Sequence, residues 1–204
     1  MVQAHRIPDL AARRGYHHGN LREALLEGAR QLVAERGPQG FTLTEAARRA
    51  GVSPSAPYRH FKDREEVLAE LCRRGFALFG HRLQAAAAGA ADAAEALQRM
   101  GPAYLAFARE EPGYYAAMFT FQPTGAEETP AEPEKGSPFD ALTGTISELL
   151  PGGERNPRLV ALQVWALSHG VAMLERAGMP APESGAPPAE AVLEKGVTAL
   201  LGRM

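Results

Sequence analysis

The sequence of 204 residues contains one cysteine, Cys72. A single cysteine excludes an intrachain disulfide, and alone it cannot build a thiolate metal site. We therefore expect Cys72 to be a buried, unreactive thiol. His17 and His18 do not indicate a metal site either, because adjacent residues do not share a helix face and no third ligand is evident. We predict neither a metal nor a cofactor.

Long apolar runs are also missing. No stretch approaches the roughly 20 apolar residues of a membrane-spanning helix. Residues 1–15 carry charges with no apolar segment behind them, which differs from a signal peptide. We expect a soluble cytoplasmic protein with no membrane partner.

Motifs that carry catalysis are absent from the sequence. It has no glycine-rich phosphate loop, no His-x-x-x-His pair and no nucleophile elbow. The carboxylate pairs Glu65-Glu66 and Glu110-Glu111 lie at predicted helix ends, where capping and solvation account for them. We predict that the protein is not an enzyme. A small helical enzyme or a ligand carrier is the alternative class.

The net charge of -2 is unevenly distributed. Residues 1–74 carry a net charge of +4, and the rest of the chain carries -6. A basic first third indicates contact with a polyanion. The segment before the first predicted helix contributes Arg6, Arg13, Arg14, His17 and His18. Such an arm could reach the minor groove or flanking phosphates of DNA, or it could be a solvated tail.

Helical patterns dominate, since alanine is abundant and no stretch alternates with a period of two. We predict an all-α fold of about nine helices. Asn20, Asp63, Asp92 and Asn156 stand where helix N-caps are expected. The segment Gln122–Pro138 is rich in proline, glutamate and glycine, which predicts a loop.

Two short helices with a tight turn are predicted near the N-terminus. Thr42-x-x-Glu45 is a capping box that opens a helix to Ala50, and Gly51 suits the left-handed residue that ends it. Ser53-Pro54 then starts a second helix that runs to about His60. This arrangement is typical of a helix-turn-helix, whose second helix enters the major groove of DNA. Spacing alone leaves an ordinary pair of packed helices as the alternative.

The polar side chains of this segment are candidate DNA contacts. Hydroxyls and helix N-terminal amides bind phosphate oxygens, and arginine can bind guanine with two hydrogen bonds. Alternatively, Arg59 is a solvated charge, His60 a core histidine and Tyr58 a packing residue. The predicted DNA-binding residues are Thr42, Thr44, Ser53, Pro54, Ser55, Tyr58, Arg59, His60, Lys62 and Arg64.

The second half of the chain holds most of the large aromatic residues. Ligand pockets between helices are lined by such side chains with a few polar groups, although a plain helical core is the alternative. Trp165 and His169 are four residues apart and share a helix face. Gly170 indicates a close helix approach, either within the subunit or across an interface. The predicted ligand-binding residues are Tyr104, Phe107, Met118, Phe119, Trp165 and His169.

The segment from about Gly19 to Leu71 resembles the DNA-binding domain of the TetR family of transcriptional regulators. The resemblance rests on Gly40-Phe41-Thr42, Val52-Ser53, Tyr58-Arg59-His60-Phe61-Lys62 and Glu66-Val67-Leu68. Pro57 departs from the family, which most often has leucine there, and a proline could tighten or bend the recognition helix.

Two later segments, Pro112–Phe119 and Trp165–Gly170, resemble the TetR-type C-terminal domain that is named for a Trp, a His and a Gly.

The resemblance implies a flexible arm over 1–18, a helix-turn-helix domain over 19–62 and a helical ligand-binding and dimerisation domain over 63–204. It also implies a homodimer through the last two helices, which are apolar on more than one side. Such a dimer would bind double-stranded operator DNA at a palindromic site as a repressor, and a small-molecule effector would release it. Its two heads would be roughly 34–36 Å apart, which is about one turn of DNA.

Overall fold

The computed structural model describes residues 21–120, 136–150, 152, 155–180 and 185–202. Within these ranges every regular element is helical, which confirms the predicted all-α fold. The predicted arm, the Asn20 cap and most of the predicted Gln122–Pro138 loop lie outside the described residues. The α-helices are α1 Leu21–Arg36, α2 Leu43–Arg49, α3 Arg64–Ala87, α4 Ala93–Glu110, α5 Pro112–Thr120, α6 Pro138–Leu149, α7 Pro157–Arg176 and α8 Ala189–Leu201. One short 3-10 helix, Pro57–Arg59, lies between α2 and α3.

Side-chain caps explain where three of the long helices begin. The side chains of Asp63, Asp92 and Asn156 accept hydrogen bonds from amides of the first turns of α3, α4 and α7, at 2.8 to 3.4 Å. These amides have no carbonyl partner within the helix, so each cap stabilises the helix end. The predicted starts at these three residues are confirmed.

The helices enclose two apolar clusters. The first joins α1, α2 and the start of α3, with Leu25, Phe41 and Phe61 almost fully buried. The second joins the rest of α3 with α4, α6, α7 and α8, and it contains most of the aromatic side chains. Since the 24 residues of α3 run through both clusters, this helix connects the N-terminal head to the helical body.

A second connection joins α1 of the head to α5 of the body. Ala117 of α5 is fully buried in the head cluster. Gly113 lies so close to α1 that a Cβ atom there would be 2.3 Å from the backbone oxygen of Arg30. The Arg30 guanidinium donates to Glu111 at 3.3 Å and lies 5.5 Å from the centre of the Tyr114 ring. The head is therefore held by direct packing as well as by α3.

Helices α7 and α8 pack closely at Gly196, where an added Cβ would be 2.6 Å from the Cδ2 atom of Leu167. At Gly170, by contrast, an added Cβ would meet nothing within 4 Å. Of the two alternatives for Gly170, close approach within the subunit is therefore wrong.

Candidate DNA interface and effector site

Helix α2 and the turn after it have the predicted helix-turn geometry. The Thr42 hydroxyl accepts from the Glu45 amide at 3.2 Å, and the Glu45 carboxylate accepts from the Thr42 amide at 2.9 Å, which completes the capping box. At the other end Gly51 has φ +71°. The Gly51 amide donates to the carbonyl of Arg48 and the Val52 amide to that of Ala47, the paired bonds of a Schellman motif.

The predicted α-helix from Ser53 to about His60 is wrong. The structure has a turn at residues 53–56 and then the single 3-10 turn Pro57–Arg59. In an α-helix capped by Ser53, the Ser53 carbonyl would accept from the amide of residue 57, and Pro57 has no amide hydrogen. The Ser53 carbonyl instead accepts from Ala56 at 3.0 Å. The buried Pro57 ring anchors this tighter recognition segment, residues 53–62, to the head.

Most predicted DNA contacts lie on the surface. Tyr58 is 61% exposed, so it does not have the packing role that was its alternative. The hydroxyl oxygens of Ser53 and Ser55 lie 3.3 Å apart. His60 and Arg64 are half-buried. The exposed members of the set are Thr42, Thr44, Ser53, Pro54, Ser55, Tyr58, Arg59 and Lys62.

Two of the predicted contacts already have partners inside the head. The Arg64 guanidinium donates to the side-chain oxygen of Gln39 at 2.6 Å and to its carbonyl at 3.3 Å. The Thr42 hydroxyl donates to Glu45 at 3.1 Å while it caps α2. Either side chain would have to exchange these bonds before it could bind a phosphate.

We use the term recognition surface for Arg48 together with the exposed side chains of the recognition segment. The distribution of ion pairs distinguishes this surface from the rest of the head. Six arginines of α1, α2 and the first half of α3 pair with glutamates within 4.0 Å: Arg22, Arg30, Arg36, Arg49, Arg73 and Arg74. Among the described residues, Arg48, Arg59 and Lys62 form no ion pair. Their charges are not neutralised, so they leave a positive potential beside the exposed hydroxyls.

Arg48 was not among the predicted contacts. Its neighbour Arg49 forms a two-bond pair with Glu35 of α1, at 2.5 and 2.9 Å. The Arg-Arg pair at the end of α2 was the available signal in the sequence. Only the packing of α1 against α2 shows which of the two arginines remains unpaired.

The predicted ligand-binding residues belong to one aromatic cluster in the body. Tyr104, Phe107 and Met118 are almost fully buried, whereas Phe119, Trp165 and His169 are half-buried. The Trp165 ring meets four other rings at centroid distances of 5.8 to 6.2 Å: Phe79, Tyr104, Phe119 and Phe139.

A chain of polar groups crosses this cluster. The Tyr115 hydroxyl lies 2.8 Å from Nδ1 of His169 and 3.3 Å from the Tyr104 hydroxyl. Burial lowers the pKa of His169, which favours the neutral ring that can accept from Tyr115. Burial raises the pKa of Tyr104 and Tyr115, so both hydroxyls keep their protons. Tyr115 was not among the predicted ligand-binding residues.

The space inside the cluster is small. A cavity of about 30 Å³ lies against Tyr104 and Trp165, and the other four predicted ligand-binding residues do not line it. That volume holds about one water molecule, whereas pockets for small molecules enclose roughly 300–1,000 Å³. A groove of about 560 Å³ lies between α4 and α8. The sequence did not indicate this groove, because it depends on how α8 crosses α4.

Metal sites and membrane-spanning helices are both absent from the described part of the chain. It contains no group of three or more His, Cys, Asp or Glu side chains placed to hold a metal ion. No helix within the described residues is long and apolar enough to span a membrane.

Comparisons with known proteins agree with this geometry. Residues 25–71 match the family model described as bacterial regulatory proteins, tetR family. Residues 97–200 match the model described as tetracyclin repressor-like, C-terminal domain. The Trp-His-Gly subtype stays a prediction.

The transcriptional repressor AcnR of Corynebacterium efficiens is 39% identical over 54 residues, which are 26% of this chain and 29% of that protein. The chain spans 51%, 31% and 29% of the lengths of three curated regulators that it matches.

Solved structures match most of the chain. A protein of unknown function from Rhodococcus sp. RHA1 is 28% identical, with a TM-score of 0.72 over 92% of this chain and 97% of that one. AibR, solved in complex with isovaleryl coenzyme A and operator DNA, is 18% identical, with a TM-score of 0.66 over 89% and 98% of the two chains. The likeness to AibR shows the fold alone. Together the two family models cover the helix-turn-helix and the helical body, and the chain belongs to the tetR family of bacterial transcriptional regulators.

Proposed function

We propose that this regulator is a ligand-responsive repressor that binds a palindromic operator as a homodimer and is released by a small molecule. The observation that carries the DNA-binding part is the recognition surface, on which Arg48, Arg59 and Lys62 are unpaired beside exposed hydroxyls. The head arginines that pair with glutamate contribute less positive potential than these three residues, because the glutamate charge offsets their own. The division into arm, head and body at residues 18 and 62 belongs to the same proposal.

The recognition surface has distinct roles for its side chains. Ser53, Ser55 and Lys62 suit phosphate oxygens, which position a protein on DNA. Arg59 extends from the 3-10 turn and suits a guanine edge in the major groove. Tyr58 offers a phenol hydroxyl and an apolar ring beside it.

The test measures operator affinity by gel shift for Tyr58→Ala and Arg59→Ala. We expect Arg59→Ala to weaken binding by about 1–3 kcal/mol, since a good base contact has that worth. Arg73→Ala is the matched control, because Arg73 is an exposed arginine of α3 that lies beyond the recognition segment. If both variants bind as well as the parent protein, the recognition surface is assigned wrongly.

A face of α7 supports the homodimer. Leu159 and Leu162 are 55% and 54% exposed, and Met173 is 45% exposed. With Ala166 and Gly170 they recur at intervals of three and four residues, so they form one stripe along the helix. The open space at Gly170 would let a second α7 approach closely.

Leu162→Glu should convert the dimer to a monomer in sedimentation, because it places a charge in this stripe. Gln163→Glu is the matched control, since it adds the same charge on an exposed neighbouring side of α7. A dimer that persists in Leu162→Glu would exclude this face as the interface.

The effector acts by favouring one spacing of the two heads. Its affinity must differ between the DNA-binding and released arrangements, or it shifts nothing. Helix α3 and the α1–α5 contact are the two connections through which the body can tilt the head. If a tightly bound small molecule leaves operator affinity unchanged, the switch is excluded while the DNA-binding role stands.

A further inference from the structure

We infer that an elongated amphipathic molecule with a cationic head binds in the α4–α8 groove, and that its apolar tail reaches Trp165. This inference deepens the proposed function, because the molecule would be the effector. It concerns a part of the body outside the aromatic set that the sequence predicted.

The groove has the size and lining of a small-molecule site. Its volume of about 560 Å³ lies within the range of roughly 300–1,000 Å³ that such pockets have. Its base is apolar and its edge is polar. The apolar residues are Ala94, Leu97, Gly101, Pro102, Leu193, Val197 and Leu201. The polar edge contains Gln98, Glu190, Glu194 and Thr198.

A wall of shared residues lies between the groove and the small cavity beside Trp165. Four residues line both spaces: Leu97, Gly101, Leu193 and Val197. Gly101 contributes no side chain to the wall, and a Cβ there would be 3.5 Å from Cδ2 of Leu193. A rotation of the Leu193 side chain would therefore join the two spaces. The cavity of about 30 Å³ would take the end of an apolar tail.

The groove stays accessible when α7 and α8 form a dimer interface. Glu190, Glu194 and Val197 project towards α4. The exposed residues Val192, Lys195 and Ala199 recur at three and four residues and lie on the opposite side of α8. A partner subunit seated on that opposite side leaves the groove uncovered.

The charges at the edge of the groove select the head group. The Glu190 carboxylate accepts from Arg109 at 2.6 Å, so its charge is largely neutralised. Glu194 is exposed and forms no ion pair with any described residue. No basic side chain is among the described residues that line the groove, and the nearby Arg155 donates to the backbone carbonyls of Leu200 and Leu201, about two helical turns from Glu194. An ammonium group is therefore attracted to Glu194, and a carboxylate is repelled.

The experiment uses dodecylamine, dodecanol and dodecanoate below their micelle concentrations, since these share one tail and differ in head charge. A dodecylamine brominated at the tail end is the reporter, because bromine quenches tryptophan fluorescence on contact and Trp165 is the single tryptophan. We expect saturable quenching of Trp165. Competition should show dodecanoate binding at least about tenfold more weakly than dodecylamine. Glu194→Gln should remove that preference.

Gly101→Leu fills the groove at the wall and should weaken quenching by about tenfold or more. Gly144→Leu is the matched control, because Gly144 lies within α6 and an added Cβ there meets nothing within 4 Å. Gln98→Trp is a second blocking variant for use if Gly101→Leu does not fold, since Gln98 is exposed at the edge. Binding to Gln98→Trp is measured by competition, because this substitution adds a second tryptophan to the fluorescence signal.

Unchanged binding in a folded blocking variant would exclude the groove. Equal affinity for dodecanoate would exclude the cationic head, and binding without quenching would exclude the path to Trp165. No binding of any of the three compounds would overturn the inference as a whole. Operator affinity of the same proteins, measured by gel shift without these compounds, tests the proposed function separately.

Discussion

Substitution of Gly113 by alanine tests the direct connection between head and body. Gly113 lies in the first turn of α5, and its backbone is buried against α1. An added Cβ would be 2.3 Å from the carbonyl oxygen of Arg30 and 2.8 Å from its Cγ atom. The Arg30 side chain can rotate away, but its carbonyl belongs to the backbone of α1 and cannot. The two helices must therefore separate.

The loss of folding stability follows from that separation of α5 from α1. Carbon and oxygen atoms without a covalent bond approach to about 3.3 Å, so α5 must withdraw by roughly 1 Å. The withdrawal loosens the packing of the fully buried Ala117 in the head cluster. Overpacking of this kind costs about 1–3 kcal/mol. Since 1 kcal/mol corresponds to about 2–4 °C in a chain of this size, Tm should fall by roughly 2–12 °C.

Urea and thermal unfolding of Gly113→Ala, followed by circular dichroism, measure this cost. Gly144→Ala is the matched control, because it makes the same change at an unobstructed helical glycine. That control should gain about 0.5–1 kcal/mol from helix propensity. If Gly113→Ala is as stable as the parent, the close contact between α1 and α5 is not a constraint on the fold, and the reasoning fails.

Three further predictions concern caps and buried polar groups. Asp92→Ala removes the side-chain acceptor of the Glu95 amide and should cost about 1 kcal/mol in urea unfolding, whereas Asp140→Ala, which leaves the Ser137 cap of α6 in place, should cost less. Tyr115→Phe removes the hydroxyl shared by His169 and Tyr104 and should cost about 1–3 kcal/mol; an unchanged stability would show that this bond is not formed. Because burial lowers the pKa of His169 from 6.5, the folded protein binds fewer protons than the unfolded chain, so its stabilising contribution is complete above pH 6.5 and declines as pH falls through the folded pKa. NMR titration should find that lowered pKa, and His169→Gln should flatten the decline in unfolding free energy below pH 6.5; an equal decline in the variant would contradict the assignment.

Helix ends and turns in this chain follow from local chemistry, whereas the packing between distant segments does not. The caps at Asp63, Asp92 and Asn156 and the left-handed Gly51 are local features, so their consequences were predictable. The predicted recognition helix was wrong, although the sequence contains the residue that prevents it, Pro57. Pro57 was noted as a departure, but the missing amide hydrogen falls at the first hydrogen bond of a helix capped by Ser53. That position decides between an α-helix and a 3-10 turn.

The sequence by itself determined the all-α class, the first helix and turn of the helix-turn-helix and most helix boundaries, because these depend on residues within a few positions of one another. Tertiary structure alone decided which charges remain unpaired and where space remains. Arg48 and Arg49 are neighbours with the same chemistry, and only α1 supplies Glu35 to one of them. The aromatic residues predicted as a pocket fill their own space, whereas the groove arises between α4 and α8, whose residues are about 90 positions apart in the chain. Pairing and packing between distant segments are set by the approach of whole helices, which no local pattern encodes.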